Sequence, residues 1–382
     1  MSAAIDVLIP AYNAARTLRS AVGSIQAQTL ADIAIHVVDD GSTDNTPQIL
    51  AELATADPRV RVHRKANGGI VDALNHGLTF CTAPLIARHD ADDLAYPERL
   101  AVQKAWLDAN PGAVAVGAAA RHIDADDRPT GTIARLDQPD TASLSAVPAR
   151  EPYMIHPFLM VRRDALERVG GYRYAHHAED TDLYWRLMGE GRLYNLPDVL
   201  GDYRMHAESI SGKSIVNGRV MSIGSQLAAF SARRRRDGRA DLVFAKEQQR
   251  ALEAAGTIAA MVDVAATGMA ADERLAFEEA VAGKLLELTS YRPYELERSD
   301  AEFVRSVANR GFGHLSPADR ALQVRRVAGA GARLAAAGRP RDGLALVPRA
   351  LAPQMGLRWL LRAPLFSALR ARVARSRAAP VK

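Results

Sequence analysis

Three carboxylates stand within four residues at Asp90-Ala91-Asp92-Asp93. Carboxylates this close repel one another unless water or a positive charge lies between them. The positive charge that suits oxygen ligands is a hard divalent cation. Ions of the Mg2+ type seldom have all-protein cages and share their shell with phosphates, so a metal here could hold a diphosphate. The competing reading is local: Asp92 or Asp93 caps the helix that begins near Pro97. Upstream lies the apolar run Pro84-Leu85-Ile86-Ala87, which puts the acids just past the end of a predicted strand.

The elements around the cluster decide what it can meet. Strands are predicted at Ile5–Ile9 (stopped by Pro10), Ile33–Val38, Val60–His63, Leu85–His89 and Ala113–Gly117. Helices alternate with them. One spans Ala14–Gln28, with Leu18, Val22 and Ile25 on one face; another runs from an N-cap at Thr46 to Ala54. A third follows the turn at Asn67-Gly68-Gly69, and a fourth covers Pro97–Ala109. The βαβ order predicts an α/β fold with a doubly wound, mainly parallel sheet. Such sheets bind ligands beyond the carboxyl ends of their strands. Residues 10–13, 39–44, 67–69 and 90–93 all fall at those ends, so four polar loops converge on one edge.

Residues 121–150 read as irregular, and a mixed region follows to about Ser211. Beyond it the chain is helical and Ala-rich. The predicted division is 1–215 for the sheet domain and 216–382 for a helical C-terminal extension. With 382 residues the chain can bury a large core. Its one cysteine, Cys81, excludes an internal disulfide and reads as a core residue. No run of about 18 apolar residues occurs, and the first ten residues read as a strand and not as a leader. The strand-loop-helix start lacks G-x-G-x-x-G, and no G-x-x-x-x-G-K-[ST] occurs. A dinucleotide-binding Rossmann domain and a P-loop NTPase are thereby disfavoured. A diphosphate would have to be neutralised by the acidic cluster and its metal.

Taken together and in order, these stretches resemble the family 2 glycosyltransferases. The carriers are Val7-Leu8-Ile9-Pro10-Ala11-Tyr12-Asn13, Val38-Asp39-Asp40-Gly41-Ser42-Thr43-Asp44, Asn67-Gly68-Gly69, and Arg88-His89-Asp90-Ala91-Asp92-Asp93 with Pro97-Glu98-Arg99-Leu100. His156-Pro157, Gly170-Gly171-Tyr172, Glu179-Asp180-Thr181-Asp182 and Tyr203-Arg204-Met205-His206 follow. The resemblance covers residues 4 to about 211. It implies an inverting enzyme of GT-A fold that uses a nucleotide-diphosphate sugar and a divalent metal, Mn2+ or Mg2+.

Roles follow from the resemblance, residue by residue. Pro10, Ala11 and Tyr12 would border the nucleotide, with Tyr12 packed on the base. Asp40 would accept the uracil imide N–H, with the adjacent Asp39 as the alternative. An acceptor-only carboxylate suits that donor and not N3 of cytosine, so a UDP-sugar is favoured, although thymine carries the same imide. Asn67 and Gly68 would flank the base, Asp90 and Ala91 the ribose. Asp92 would bind the metal, and His206 would join it as a ligand or donate directly to the diphosphate, with Arg204 as a further candidate there. Asp93 would be a helix-side hydrogen-bond partner. Asp180 would be the general base that takes the acceptor hydroxyl proton, with Glu179 orienting a neighbour or the acceptor. His156, Gly170, Gly171 and Asp182 would shape the acceptor side, Asp182 also being suited to anchoring its loop. His89 is expected to tune the metal site or face solvent.

The expected acceptor is a glycan or lipid-linked hydroxyl, as in polysaccharide biosynthesis. The alternative is a non-catalytic nucleotide-sugar-binding or scaffold protein of the same fold; a nucleotidyltransferase is disfavoured by the absence of a basic, Gly-rich first loop. From Ala321 on, twelve arginines and one lysine stand against one acid, Asp342. That +12 excess against +5 for the whole chain leaves −7 for residues 1–320. Within residues 350–378 the arginines alternate with Leu357, Trp359, Leu365, Phe366 and Leu369, a basic amphipathic pattern. It suits an anionic membrane surface, with a helix docked on the protein as the alternative. No nucleic-acid motif is present. The expected location is cytoplasmic, either free or peripheral on the inner face of the membrane.

Overall fold

The computed structural model describes residues 3–175, 177–205, 215–291 and 294–360. The chain divides into two compact units. One comprises Met1–Ser143, Arg150–Gly212 and Arg235–Arg239; the other comprises Leu144–Ala149, Lys213–Arg234 and Ala240–Lys382. Two short segments, 144–149 and 235–239, therefore belong to the unit opposite their neighbours in sequence.

In the first unit the elements are β1 (Ile5–Ala11), α1 (Leu18–Gln26), β2 (Ile33–Asp39), α2 (Thr46–Ala56), β3 (Val60–Arg64), α3 (Ile70–Leu78), β4 (Leu85–Arg88), β5 (Leu94–Ala95), α4 (Arg99–Ala109), β6 (Ala113–Ile123), β7 (Pro129–Ala134), β8 (Met160–Arg162), α5 (Arg163–Arg168), α6 (Glu179–Leu187) and β9 (Arg192–Arg204). One sheet runs in the order β3-β2-β1-β4-β8-β6-β9-β5, with β7 beside β6. The β3-β2-β1-β4 half is parallel throughout. β8 enters antiparallel between β4 and β6, while β6 and β9 are again parallel.

Side chains alternate across a strand, so each buried strand feeds two cores. Ile5, Val7 and Ile9 of β1 join Leu18, Val22, Ile49, Leu50 and Leu100 on one face. Leu8, Val38 and Ile86 point the other way, toward Val71, Leu74, Leu166 and Leu183. Helices α1, α2 and α4 thus cover one face and α3, α5 and α6 the other. Cys81 is buried in the second core, as expected.

Several predicted boundaries need correction. β1 continues through Pro10. The Leu8 carbonyl accepts His89 N–H on the β4 side, whereas the Ala11 carbonyl accepts Asp40 N–H on the β2 side. Pro10 therefore turns its missing donor toward β4, where the ladder has already ended at Leu8–Arg88. α1 is shorter than expected, starting at Leu18. Thr46 is the first residue of α2 and not its cap; its Oγ1 accepts Ala14 N–H instead. Residues 129–134, expected to be irregular, are strand β7, which pairs with β6.

In the second unit the helices are α7 (Ile215–Arg236), α8 (Lys246–Ala254), α9 (Ile258–Ala265), α10 (Ala271–Tyr291), α11 (Arg298–Asn309), α12 (Pro317–Ala336), α13 (Pro340–Leu346) and α14 (Ala352–Leu360). Buried Arg219 of α7 ties into α11 through Asp300 and Glu297. Among the described residues no helix is long and apolar enough to cross a membrane. In α14, Met355 is buried while Leu357, Trp359 and Leu360 are exposed. Of the basic pattern predicted over 350–378, residues 361–378 lie outside the described residues.

Candidate active site

β4 delivers the acidic loop to the carboxyl edge of the sheet, beside the loop after β1. Oxygen atoms of Asp90, Asp92 and Asp93 come within 4.8 Å of one another. The loop is held from both sides. Thr17 donates its hydroxyl to the Ala91 carbonyl at 2.9 Å. Arg204, the last residue of β9, donates its backbone N–H to Asp93 Oδ1 and its Nε to the Asp92 carbonyl, both at 2.7 Å. Its guanidinium also reaches the Asp124 carbonyl and Asp127.

The capping reading does not hold. α4 starts at Arg99 behind Glu98, with no side-chain cap bond. Asp93 serves a strand and not a helix, because β5 pairs with β9 before α4 begins. Burial, then the charges of Asp90 and Asp92, push the Asp93 carboxyl well above the usual range. Its Oδ2 is buried with no hydrogen-bond partner among the described residues. Three hard oxygen donors this close, one holding an unsatisfied atom, fit a divalent cation. His89 does not face solvent; it lies against the backbone of Asp93. It is fully buried, its Nδ1 lies 3.1 Å from Arg99 Nη1, and burial holds it neutral.

Pro10, Tyr12, Asp90, Ala91 and Asp92 line one cavity of about 550 Å³ together with Arg204. Tyr12 is 52% exposed, an open aromatic face at its rim. Ala11 is buried at the end of β1. Asn13 joins the first loop to the second, accepting Thr43 N–H at 2.8 Å while Ser42 Oγ accepts Asn13 N–H. Asp39 and Asp40 differ sharply. Asp40 accepts Lys65 Nζ at 2.6 Å, Gly69 N–H at 2.8 Å and Gly68 N–H, so it organises the 67–69 loop. Asn67 returns a bond to the Asp40 carbonyl. Asp39 accepts Ser42 N–H through Oδ1; its buried Oδ2 has only Arg64 Nε, at 3.3 Å, as a charge neighbour. Gly41 (φ +75°) lets the two loops touch, since a Cβ there would lie 2.7 Å from Asn67 N.

Glu179 and Asp180 open α6, where the helix N-terminus favours carboxylates. Both are half-buried. Burial, then the charge of Asp180, pushes Glu179 up to about 7. Burial also raises Asp180, against a bond from Thr181 N–H and the charge of Arg88. Asp90 acts on Glu179 as a like charge. The base-side acids and the acidic loop are therefore electrostatic neighbours.

The other expected acceptor-side residues lie beneath this pair. Asp182 is fully buried and bonded to both Arg173 and Arg186, an anchoring role. Arg186 in turn donates to the Val169 and Gly171 carbonyls. Gly170 and Gly171, both at positive φ, end α5 by bonding back to Glu167 and Leu166. They line a separate groove that shares no residue with the Tyr12–Asp92 cavity. His156 is buried, with Nε2 at 2.9 Å from Tyr172 Oη. Asp182, Gly171 and His156 are buried and support the 171–182 segment, while Gly170 is exposed in its groove. His206 lies outside the described residues.

Two cations emerge that sequence reasoning gave no site role: Lys65 on Asp40, and Arg88. Arg88 carried a signal, a charged residue inside a buried apolar strand. Lys65 is identified only by the contact its side chain makes. Arg204, expected at the diphosphate, is bonded to the acidic loop.

The fold and the carboxylate edge define a transferase of the GT-A class. The glycosyl transferase family 2 model matches residues 6–170. The chain is 31% identical to the amylovoran biosynthesis glycosyltransferase AmsE of Erwinia amylovora, over 54% of this chain and 78% of that protein. It is 29% identical to the putative glycosyltransferase EpsE of Bacillus subtilis, over 60% of this chain and 82% of that protein. The fold is that of S. aureus TarS 1–349, solved with UDP-GlcNAc (TM-score 0.51, 16% identity, 92% of this chain and 91% of that one). The chain belongs to the family 2 glycosyltransferases.

Proposed function

We propose that this enzyme moves a sugar, with inversion, from a UDP-sugar to a hydroxyl of a glycan or lipid-linked acceptor, using Asp180 as general base. The observation that carries the reading is the cavity that Tyr12, Asp90 and Asp92 line together; the like charge of Asp90 on Glu179 supports assigning the α6 acids to the same site. Asp180 takes the hydroxyl proton as the acceptor oxygen attacks the anomeric carbon opposite the diphosphate, and the bond to the diphosphate oxygen breaks. Its raised carboxyl makes it a better proton acceptor than a surface aspartate. Glu179 orients the acceptor beside it.

Asp92 would hold a Mn2+ or Mg2+ ion, with Asp90 and Asp93 beside it and His206 as a further ligand; such an ion supplies Lewis-acid stabilisation of the leaving diphosphate. Tyr12 offers its face to the base, and Asp40, or Asp39 beside it, accepts the imide N–H, with Asn67 and Gly68 at the base edge. The relative's amylovoran name supports a polysaccharide-type acceptor. TarS, named with UDP-GlcNAc, is a precedent for uridine. The tail at 350–378 would rest on an anionic membrane surface at the inner face of the cytoplasmic membrane. The deciding experiment is a thermal-shift screen of nucleotide sugars with and without Mn2+. A UDP-sugar should raise the melting midpoint most, and only with metal. A GDP- or CDP-sugar giving the larger shift would overturn the donor reading.

A further inference from the structure

Arg88 ends β4, one residue before the acidic loop reaches Asp90. Its side chain is 7% exposed, and Nη2 meets Asp90 Oδ1 at 2.5 Å. Nε and Nη1 are buried with no hydrogen-bond partner among the described residues. Neighbouring arginines behave differently. Arg99 spends its donors on Gln103, His89 and the Arg88 carbonyl. Arg162 spends its donors on the carbonyls of Ala113, Leu107 and Asn110. A buried guanidinium needs counter-charge or acceptors, and leaving donors unmet is costly. Among the described residues Arg88 has one ion pair, to Asp90.

We propose that Arg88 is a positioning residue of the acidic loop: it pins Asp90 as its ion-pair partner, so that Asp92 leads in metal binding. The proposal rests on the reading of Asp92 as the metal ligand. It has a sign that a merely structural role lacks. Removing the guanidinium frees Asp90 from that pair to compete as a metal ligand and makes the loop more negative, so bare metal should bind more tightly. The same removal loosens the Asp90 carboxylate in the cavity it lines, so turnover should fall. Damage to folding would weaken both.

The test uses the full chain as Arg88→Met, with Arg88→Lys as the variant that keeps a charge on a narrower head group. Two quantities are read: Mn2+ affinity without nucleotide, by calorimetric titration, and UDP release from the UDP-sugar that most raises the melting midpoint. Arg88→Met should bind Mn2+ about threefold or more tightly and release UDP about tenfold or more slowly, the scale of one pKa unit. Arg88→Lys should move both in the same directions by less. Affinity and rate falling together, or neither moving, would overturn the proposal. A wild-type Mn2+ titration by Asp92→Ala removes the metal reading, whereas unchanged Mn2+ affinity in Arg88→Met beside a weakened Asp92→Ala removes the Arg88 assignment, so the two failures are distinguishable.

Discussion

Asp93 Oδ1 accepts the backbone N–H of Arg204 at 2.7 Å, which ties the acidic loop after β4 to the end of β9, 111 residues further along the chain. The same arginine bonds the Asp92 carbonyl. The acidic loop is therefore held where two strands meet, and Asp92 hangs from a backbone bonded at both neighbours. A loop braced in this way can present carboxylates without ordering cost when a cation arrives.

Asp180→Asn should lose transfer by about 10²-fold or more, the scale of general-base loss, while binding of UDP with Mn2+ stays near wild type. Steady-state rates with a parallel UDP titration check this. Near wild-type transfer would exclude Asp180 as base.

Glu179 titrates at about 7 and Asp180 is also raised, so the rate should decline as pH falls through about 7. An unperturbed carboxylate would hold its activity to about pH 4. A rate profile flat down to pH 5 would contradict the shifts. Linkage adds a stability test. A carboxyl raised in the folded state favours folding below its unfolded value, and that contribution is lost as pH rises through the folded value. Asp180→Asn, which cannot ionise, should therefore melt above wild type at pH 8 and lose that advantage near pH 4.

Asp92→Ala should weaken Mn2+-dependent UDP binding by tenfold or more, roughly the 1.4 kcal/mol of one lost ligand interaction. UDP binding measured with EDTA should change little. A Mn2+ titration identical to wild type would remove Asp92 from the metal set.

Gly41→Ala tests the base-side loops. Its φ of +75° and the 2.7 Å approach to Asn67 N leave no place for a methyl group. The substitution should cost about 1–3 kcal/mol, the range for a strained backbone, and weaken UDP binding while leaving metal-only binding intact. An unchanged melting midpoint would show that the 41–67 contact is dispensable.

A chain ending at Leu360 keeps Met355 and the packed part of α14 yet removes six basic residues, from Arg362 to Lys382. On vesicles rich in anionic lipid it should float much less than the full chain, with the difference shrinking in high salt. Equal flotation of both forms would end the membrane reading.

The alternation of short apolar strands with helical spacing was enough to read the parallel half of the sheet, because period-two and period-3.6 patterns are properties of neighbouring residues. The convergence of Tyr12, Asp40 and Asp90–Asp93 on one edge followed from that order. The antiparallel insertion of β8, the pairing of β9 with β5 and the continuation of β1 through Pro10 were not legible, since they depend on which edges of distant strands remain unpaired. The site divides the same way. Carboxylate positions could be read from the chain itself. Which carboxylates are spent on structure could not. Asp182 is consumed by Arg173 and Arg186, Asp40 already accepts from Lys65 and two glycine N–H groups, and Arg88 is paired with Asp90. A carboxylate's type sets what it can accept, but only folding brings the partner that takes the bond, and burial sets how strongly that partner is felt.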